Sequence, residues 1–293
     1  MSIDTMLVHI KELFKEGVTE KFAYPAFNTQ NLETTLGIIR AGEELDVPLI
    51  VATTEGTISY AGLETIFDIV ATLARKAKSP VVLHLDHGKD PEQLKRAIRL
   101  GYSSVMIDHS HLAFDQNVRD TKEVVEFAHR EGAWVQGEIG RLRGTEDWVS
   151  VSDAQSLLTE PEEALKFHQA TGVDTLACSV GTVHGVVKIR GGVTAHVDLP
   201  RIKAINDLVP VPLVLHGASG VDENTVFGAI ENGIRIINID TELRIAFTEA
   251  LRESLKNHPE EIDPRHFMKP TIEAVKEASK LKLKQFRTRN LLN

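Results

Sequence analysis

With 293 residues, 42% hydrophobic and 5% aromatic, the chain has an ordinary globular composition and enough length to bury one large core. Its formal net charge of −9 offers no basic face for a nucleic acid, so an anionic substrate would need a local cation or helix N-termini to offset the overall charge. Cys178 alone excludes a disulfide framework, no uninterrupted apolar run is long enough for a bilayer, and the first residues lack the basic-then-apolar order of a signal peptide. The expectation is a cytoplasmic protein with no membrane partner.

In chain order, residues 2–16 place Ile3, Leu7, Ile10 and Phe14 at helical spacing and predict an extra N-terminal helix. Eight short apolar runs follow, each of a length suited to a strand: FAYPAFN (22–28), PLIVAT (48–53), VVLHLD (81–86), SSVMID (103–108), WVQGEI (134–139), TLACSV (175–180), PLVLHG (212–217) and RIINID (235–240). Helical patterns such as LETTLGIIRAGEEL, LETIFDIVATLARKA and PEQLKRAIRLG lie between them, and a C-terminal helix is expected over 269–286. Strands alternating with helices imply parallel βα units, and eight such units predict closure into a (β/α)8 TIM barrel. An open doubly wound sheet usually has fewer strands and often a Gly-rich turn after the first, and none follows FAYPAFN. No low-complexity linker divides the chain, so residues 1–293 read as a single barrel domain. Two connections, 140–160 and 181–198, are long and polar, as active-site lids are.

The polar residues gather at the ends of the predicted strands. Asn28, Thr53 and Thr54 end or follow the first two; Asp86 and His87 close the third, Asp108 the fourth and Glu138 the fifth. His184 follows the sixth, His216 ends the seventh, and Asn238 and Asp240 end the eighth. In a barrel these ends converge on one face, where active sites lie. Three histidines on separate strand ends suit a catalytic zinc with an open fourth position. Asp86 beside them suits an acid–base partner, or a carboxylate holding a histidine ring. His84 shares the strand parity of Asp86 and suits the core or a place behind the ligands. His109 and His111 form a rival metal pair just past a strand. GTVHG (181–185), HGASG (216–220) and NIDT (238–241) sit where barrels often bind phosphate through backbone N–H groups.

At LHLDHG (83–88) the chain resembles the class II, metal-dependent fructose-bisphosphate aldolase family and its tagatose-bisphosphate relatives. AFNTQNLE (26–33), GYSSVMIDHSHL (101–112), VQGEIGRLRGTED (135–147), GTVHGVVK (181–188), PLVLHGASGV (212–221) and NIDTELRIAFTEALR (238–252) carry the likeness over nearly the whole length. The resemblance implies that His87, His184 and His216 bind a catalytic zinc, that Asp86 moves the proton of the C4 hydroxyl, and that Glu146 moves the proton at C3. Asp108 and Glu138 match carboxylates that can hold a second divalent cation. Gly185, Lys188, Gly217, Ser219, Asn238 and Thr241 match positions around the ketose phosphate nearest the metal, with a monovalent cation, sodium or potassium, at those loops. Thr54 and Arg244 match positions near the distal phosphate, and Asn28 and Asp240 complete the substrate-facing set. The implied reaction is reversible aldol cleavage of fructose 1,6-bisphosphate to dihydroxyacetone phosphate and glyceraldehyde 3-phosphate, as in glycolysis, by a homodimer or homotetramer.

A zinc ion would act as a Lewis acid on the enediolate that cleavage leaves, so no Schiff-base lysine is required. Four positions depart from the family pattern: Gln136 stands for Glu, Arg143 for Gly, His109 for Gly, and Ala52 for Gln. They bear on the substrate more than on the chemistry, so tagatose 1,6-bisphosphate or another phosphorylated keto-sugar is the first alternative. Asp240 favours the fructose type, because tagatose-type members tend to a small residue there. A zinc hydrolase on the same fold would carry an HxH pair at the end of the first strand, where AFN stands. A non-catalytic sugar-phosphate binder would not need both Asp86 and Glu146. Cobalt, iron or manganese would also suit a three-histidine site.

Overall fold

The computed structural model describes residues 6–14, 21–140, 143–146, 149–151, 158–184 and 196–286, with the backbone alone at 143–146, 149–151 and 183–184. The apolar runs become strands β1 (Tyr24–Asn28), β2 (Leu49–Thr54), β3 (Val81–Gly88), β4 (Ser104–Ile107), β5 (Trp134–Ile139), β8 (Thr175–Cys178), β10 (Leu213–Leu215) and β11 (Ile234–Ile239). They pair in parallel throughout and close in the order β1-β11-β10-β8-β5-β4-β3-β2. The expected (β/α)8 barrel is therefore the fold.

Strand alternation divides the side chains into two sets. Leu83, Leu85, Val105, Ile107 and Val135 point outward into a continuous core shared with the surrounding helices. Ala26, Ile50, Val82, Ala177, Val214 and Ile236 form a smaller apolar core of their own inside the barrel. The outer helices include α1 (Leu32–Leu45), α2 (Glu55–Ala61), α3 (Leu63–Lys76), α4 (Pro91–Leu100), α5 (Phe114–Glu131) and α6 (Pro161–Thr171). They continue with α7 (Leu199–Leu208), α8 (Glu223–Glu231), α9 (Thr241–Asn257) and α10 (Pro264–Gln285). The C-terminal helix expected over 269–286 thus begins about one turn earlier. Pro264 occupies its first turn, where a missing N–H costs nothing, and Asp263 caps it by accepting from the Arg265 amide.

The N-terminal helix expected over 2–16 needs correction. The Val8 amide donates to the Val81 carbonyl at 2.9 Å, and Leu7 bridges Val81 in parallel, so this stretch is extended. Only Ile10–Phe14 is helical among the described residues there, as a 3-10 turn. The reason is the barrel floor. Ile10 is buried against Tyr24 and Val82, Phe14 stacks on Trp134 with centroids 5.9 Å apart, and the Tyr24 hydroxyl donates to the Leu13 carbonyl at 2.8 Å. The spacing of Ile10 and Phe14 reported one buried face truly; it did not report that Leu7 serves a strand.

The two long connections are joined. β6 (Arg143–Glu146) and β7 (Val149–Val151) form an antiparallel hairpin, and β6 also pairs in parallel with β9 (Val183–His184), setting Gly144 opposite His184.

Candidate active site

The strand ends that carry the polar residues meet at one mouth. Asn28, Thr54, Asp86, His87, Glu138, His216 and Asn238 are all buried there, Asp86 completely. Asp86, His87 and His216 each offer a ligand atom within 4.8 Å of the others, and His87, Asp108 and Glu138 form a second such group. The His87 and His216 rings lie edge to face, with centroids 4.6 Å apart.

Adjacent strand residues normally face opposite sides, yet Asp86 and His87 both reach the mouth. The β3–β4 register shifts between Leu85 and Gly88, and His87 has a left-handed backbone, φ 48°. This irregularity turns His87 inward beside Asp86, a use of bulges seen next to active sites. Gly88 then packs so tightly against Leu94 and the Met106 carbonyl that any side chain there would collide.

Each group at the mouth is held by a neighbour. His87 Nδ1 lies 3.1 Å from Asp108 Oδ2 and 3.9 Å from Glu138 Oε2. An N–H at Nδ1 donating to Asp108 leaves Nε2 as the nitrogen with a lone pair, the usual way a carboxylate sets a ligand histidine. Burial would raise the pKa of Asp108, but hydrogen bonds from His87 and Ser110 outweigh it and hold the carboxyl well below its ordinary range. Asn28 Nδ2 donates to Asp86 Oδ2 at 3.1 Å. Among the described residues, Asp86 Oδ1, Asn28 Oδ1 and both polar atoms of the Asn238 side chain are buried without a hydrogen-bond partner. Such atoms are costly unless something occupies the space they face.

Behind Asp86, His84 places Nδ1 2.8 Å from Ser104 Oγ and Nε2 3.9 Å from Asp86 Oδ1. Burial lowers its pKa from 6.5 to about 4, despite the opposing pull of Asp86. The folded state therefore refuses a proton that the unfolded chain accepts below pH 6.5. Stability from this source is complete above that pH and is lost as pH falls toward 4, by roughly 3 kcal/mol. Urea unfolding of metal-free wild type and His84→Gln at pH 7 and pH 4.5 should show the smaller acid loss in the variant; equal losses would show that another group is responsible.

On the opposite wall, Gln136 Nε2 lies 2.9 Å from His216 Nε2 and 3.2 Å from Met106 Sδ. Asp240 is gripped from two sides: its Oδ1 accepts from Gln30 Nε2 at 2.9 Å and Arg244 Nε at 2.8 Å, and its Oδ2 lies 2.7 Å from an Arg244 terminal nitrogen. Gly217, at φ 62°, turns the chain directly after His216 and toward Ser219. Thr241 opens α9, so its helix N-terminus adjoins Asn238 along the chain. The Thr54 hydroxyl accepts from the Thr57 amide at 3.3 Å and caps α2.

Asp86, His87, Asp108, Glu138 and His216 are thus brought together, with Asn28 and Asn238 beside them. Glu146 and His184 are placed by backbone only, on the paired strands β6 and β9. Gly185 and Lys188 lie outside the described residues. Of the rival pair, His109 is engaged elsewhere: its Nδ1 lies 2.8 Å from Asp120 Oδ2 and its Nε2 lies 2.9 Å from the Lys89 carbonyl, tying the β3–α4 loop to α5. The supports of Asp86 by Asn28, His216 by Gln136 and Asp240 by Gln30 were not anticipated. Strand parity could have flagged Gln136, two residues before Glu138; the other contacts join distant segments.

A closed parallel barrel with buried carboxylates and imidazoles at the C-terminal ends of its strands defines a barrel enzyme whose chemistry is built at that mouth. The profile of the family described as fructose-bisphosphate aldolase class-II matches residues 8–291. A fructose-bisphosphate aldolase of Thermus caldophilus is 43% identical over 302 residues, covering 96% of this chain and 98% of that protein. The YdjI aldolase of Escherichia coli K12 superposes with a TM-score of 0.84 at 31% identity, over 98% of this chain and 100% of that one. A candidate fructose-1,6-biphosphate aldolase of Coccidioides immitis superposes with a TM-score of 0.87 at 31% identity, over 97% of each chain. The chain belongs to the class-II fructose-bisphosphate aldolase family. It is an aldolase, a carbon–carbon lyase of a family that is generally metal-dependent and acts on phosphorylated sugars.

The residues at the mouth fit a divalent cation. Nitrogen and carboxylate donors converge within 4.8 Å, and the buried Asp86 Oδ1 has no hydrogen-bond partner among the described residues.

Proposed function

We propose that the protein cleaves fructose 1,6-bisphosphate reversibly to dihydroxyacetone phosphate and glyceraldehyde 3-phosphate, using zinc held by His87, His184 and His216. The observation that carries this reading is the convergence of Asp86, His87 and His216 at the barrel mouth. A zinc ion there supplies Lewis-acid stabilisation of the negative charge that develops on the ketone-bearing fragment. Asp86, steadied by Asn28, takes the C4 hydroxyl proton as the carbon–carbon bond breaks. Glu146 moves the proton at C3 from the hairpin that pairs with the His184 strand. Gly185, Lys188, Gly217, Ser219, Asn238 and Thr241 bind the near phosphate, with a monovalent cation at the same loops. Thr54 and Arg244 bind the distal phosphate. Asp108 and Glu138, grouped with His87, form the place for a second divalent cation. The remaining parts of the reading are a single domain over 1–293, a cytoplasmic homodimer or homotetramer, and no nucleic-acid or membrane partner.

Tagatose 1,6-bisphosphate is the second reading, and one observation favours it. The Asp240 carboxylate is already occupied by Gln30 and Arg244, which weakens it as a selector at C4. The two sugars differ only in configuration at C4, so discrimination depends on polar groups near that carbon. A mismatch at a buried polar group costs about 1–3 kcal/mol, roughly ten- to a hundred-fold in rate. The test is kcat/KM for a panel of ketose bisphosphates and monophosphates, with zinc and with chelator, in wild type and Asp240→Ala. Chelator-sensitive cleavage with fructose preferred, narrowed in the variant, is the expected result. Preference for tagatose would overturn the substrate assignment, and an unchanged ratio in the variant would remove Asp240 as the selector. Full activity after exhaustive metal removal, or trapping of substrate on a lysine by borohydride, would overturn the metal mechanism.

A further inference from the structure

Gln136 sits on β5 with the same interior parity as Glu138, one layer beneath the mouth, and is buried. Among the described residues, its amide nitrogen lies 3.2 Å from Met106 Sδ on β4 and 2.9 Å from Nε2 of His216 just past β10. His216 is grouped with Asp86 and His87 as a metal-binding set, so its ring has two tasks at once. With Gln136 at Nε2, the nitrogen left to face a metal is Nδ1.

An amide can meet a ring nitrogen with either end. Its N–H donates to a ring lone pair; its carbonyl accepts from a ring N–H. A metal on Nδ1 requires the ring proton to sit on Nε2, and that proton calls for the carbonyl end, so the amide that here sets its nitrogen 2.9 Å from Nε2 turns over by half a rotation when metal binds. An apolar side chain at this position would leave the Nε2 proton buried without an acceptor, at a cost to every metal-bound molecule. A carboxylate would accept the same proton more strongly and make His216 a more basic ligand.

We propose that Gln136 is a positioning residue that fixes Nδ1 as the metal-binding nitrogen of His216, and that its neutral amide keeps the site's metal affinity below what a carboxylate would give. This rests on the reading of Asp86, His87 and His216 as a metal site. It concerns the residue behind the ligand, not the ligand.

The experiment is titration of metal-free protein with Zn2+ in competition with a chromophoric chelator, for wild type, Gln136→Met and Gln136→Glu. Methionine matches the length of glutamine but offers only a weakly accepting thioether, so Zn2+ affinity should fall by about 10- to 100-fold. Glutamate restores the acceptor, so Gln136→Glu should bind at least as tightly as wild type, by up to about tenfold. A role in packing alone predicts the opposite order, with methionine tolerated inside the barrel and a buried acid harmful. Gln136→Met within about threefold of wild type, or Gln136→Glu weaker than wild type, would overturn the proposal. If Gln136→Met does not fold, the Gln136→Glu comparison decides by itself. Wild type that takes up no Zn2+ would overturn the metal-site reading and this proposal with it, whereas wild type that binds with indifferent variants overturns only the proposal.

Discussion

Replacing His87 with asparagine or His216 with alanine is expected to remove bound metal and aldol cleavage together. Each ring is buried, and each belongs to the group whose ligand atoms lie within 4.8 Å of one another. Loss of one ligand from a three-ligand set should weaken metal binding by more than about a hundredfold, the upper end of what losing only a supporting contact costs. Asparagine is chosen at His87 because that residue holds φ 48°. Asparagine visits the left-handed region readily, whereas a β-branched residue would add strain unrelated to the metal. The variant also removes the imidazole that donates to Asp108, so Asp108 should lose part of what keeps its carboxyl ionised. Metal content by elemental analysis, measured beside kcat/KM, gives the answer. A variant that keeps stoichiometric, tightly held metal would show that its histidine is not a ligand.

The barrel was legible because its strands are short apolar runs buried on both faces. VVLHLD and RIINID announce themselves whatever the rest of the fold does. The polar strand ends were legible for the same reason: a histidine or carboxylate closing an apolar run has a predictable address in a barrel. What escaped depends on closure. Gln30 reaches Asp240 across a sequence separation of 210, and Gln136 reaches His216 across 80. No local pattern encodes either contact. The irregularity that turns His87 inward was equally hidden, since VVLHLDHG reads as plain alternation until the register shifts after Leu85. At the other end, Leu7, Ile10 and Phe14 share a helical period, but backbone pairing with Val81 claims the first of them. A period over three positions cannot tell a helix from a strand that ends in a single turn.

Asp86→Asn is expected to keep its metal and lose turnover by about a hundred- to ten-thousand-fold, the range for removing a positioned acid–base group. Asparagine matches aspartate in shape and still accepts from Asn28, so the strand end should stay as it is. What disappears is the capacity to take a proton at the carboxylate. The geometry leaves two tasks open to Asp86. Its Oδ2 is held by Asn28, while Oδ1 is buried with no hydrogen-bond partner among the described residues. That oxygen is available either for a substrate hydroxyl or for a cation shared with His87 and His216. Metal content separates the two. A ligand role predicts that metal and activity fall in proportion, so that turnover per bound metal is little changed. A proton-transfer role predicts near-full metal with turnover per metal lowered throughout. His84 helps to exclude a trivial explanation. With Nδ1 engaged by Ser104 and Nε2 3.9 Å from Asp86, it is too far to hydrogen-bond directly to that carboxylate. Loss of turnover would therefore report Asp86 itself rather than a broken histidine contact. A near-normal turnover number in Asp86→Asn would remove the residue from proton transfer and leave Glu146, on the paired hairpin, as the carboxylate to test next.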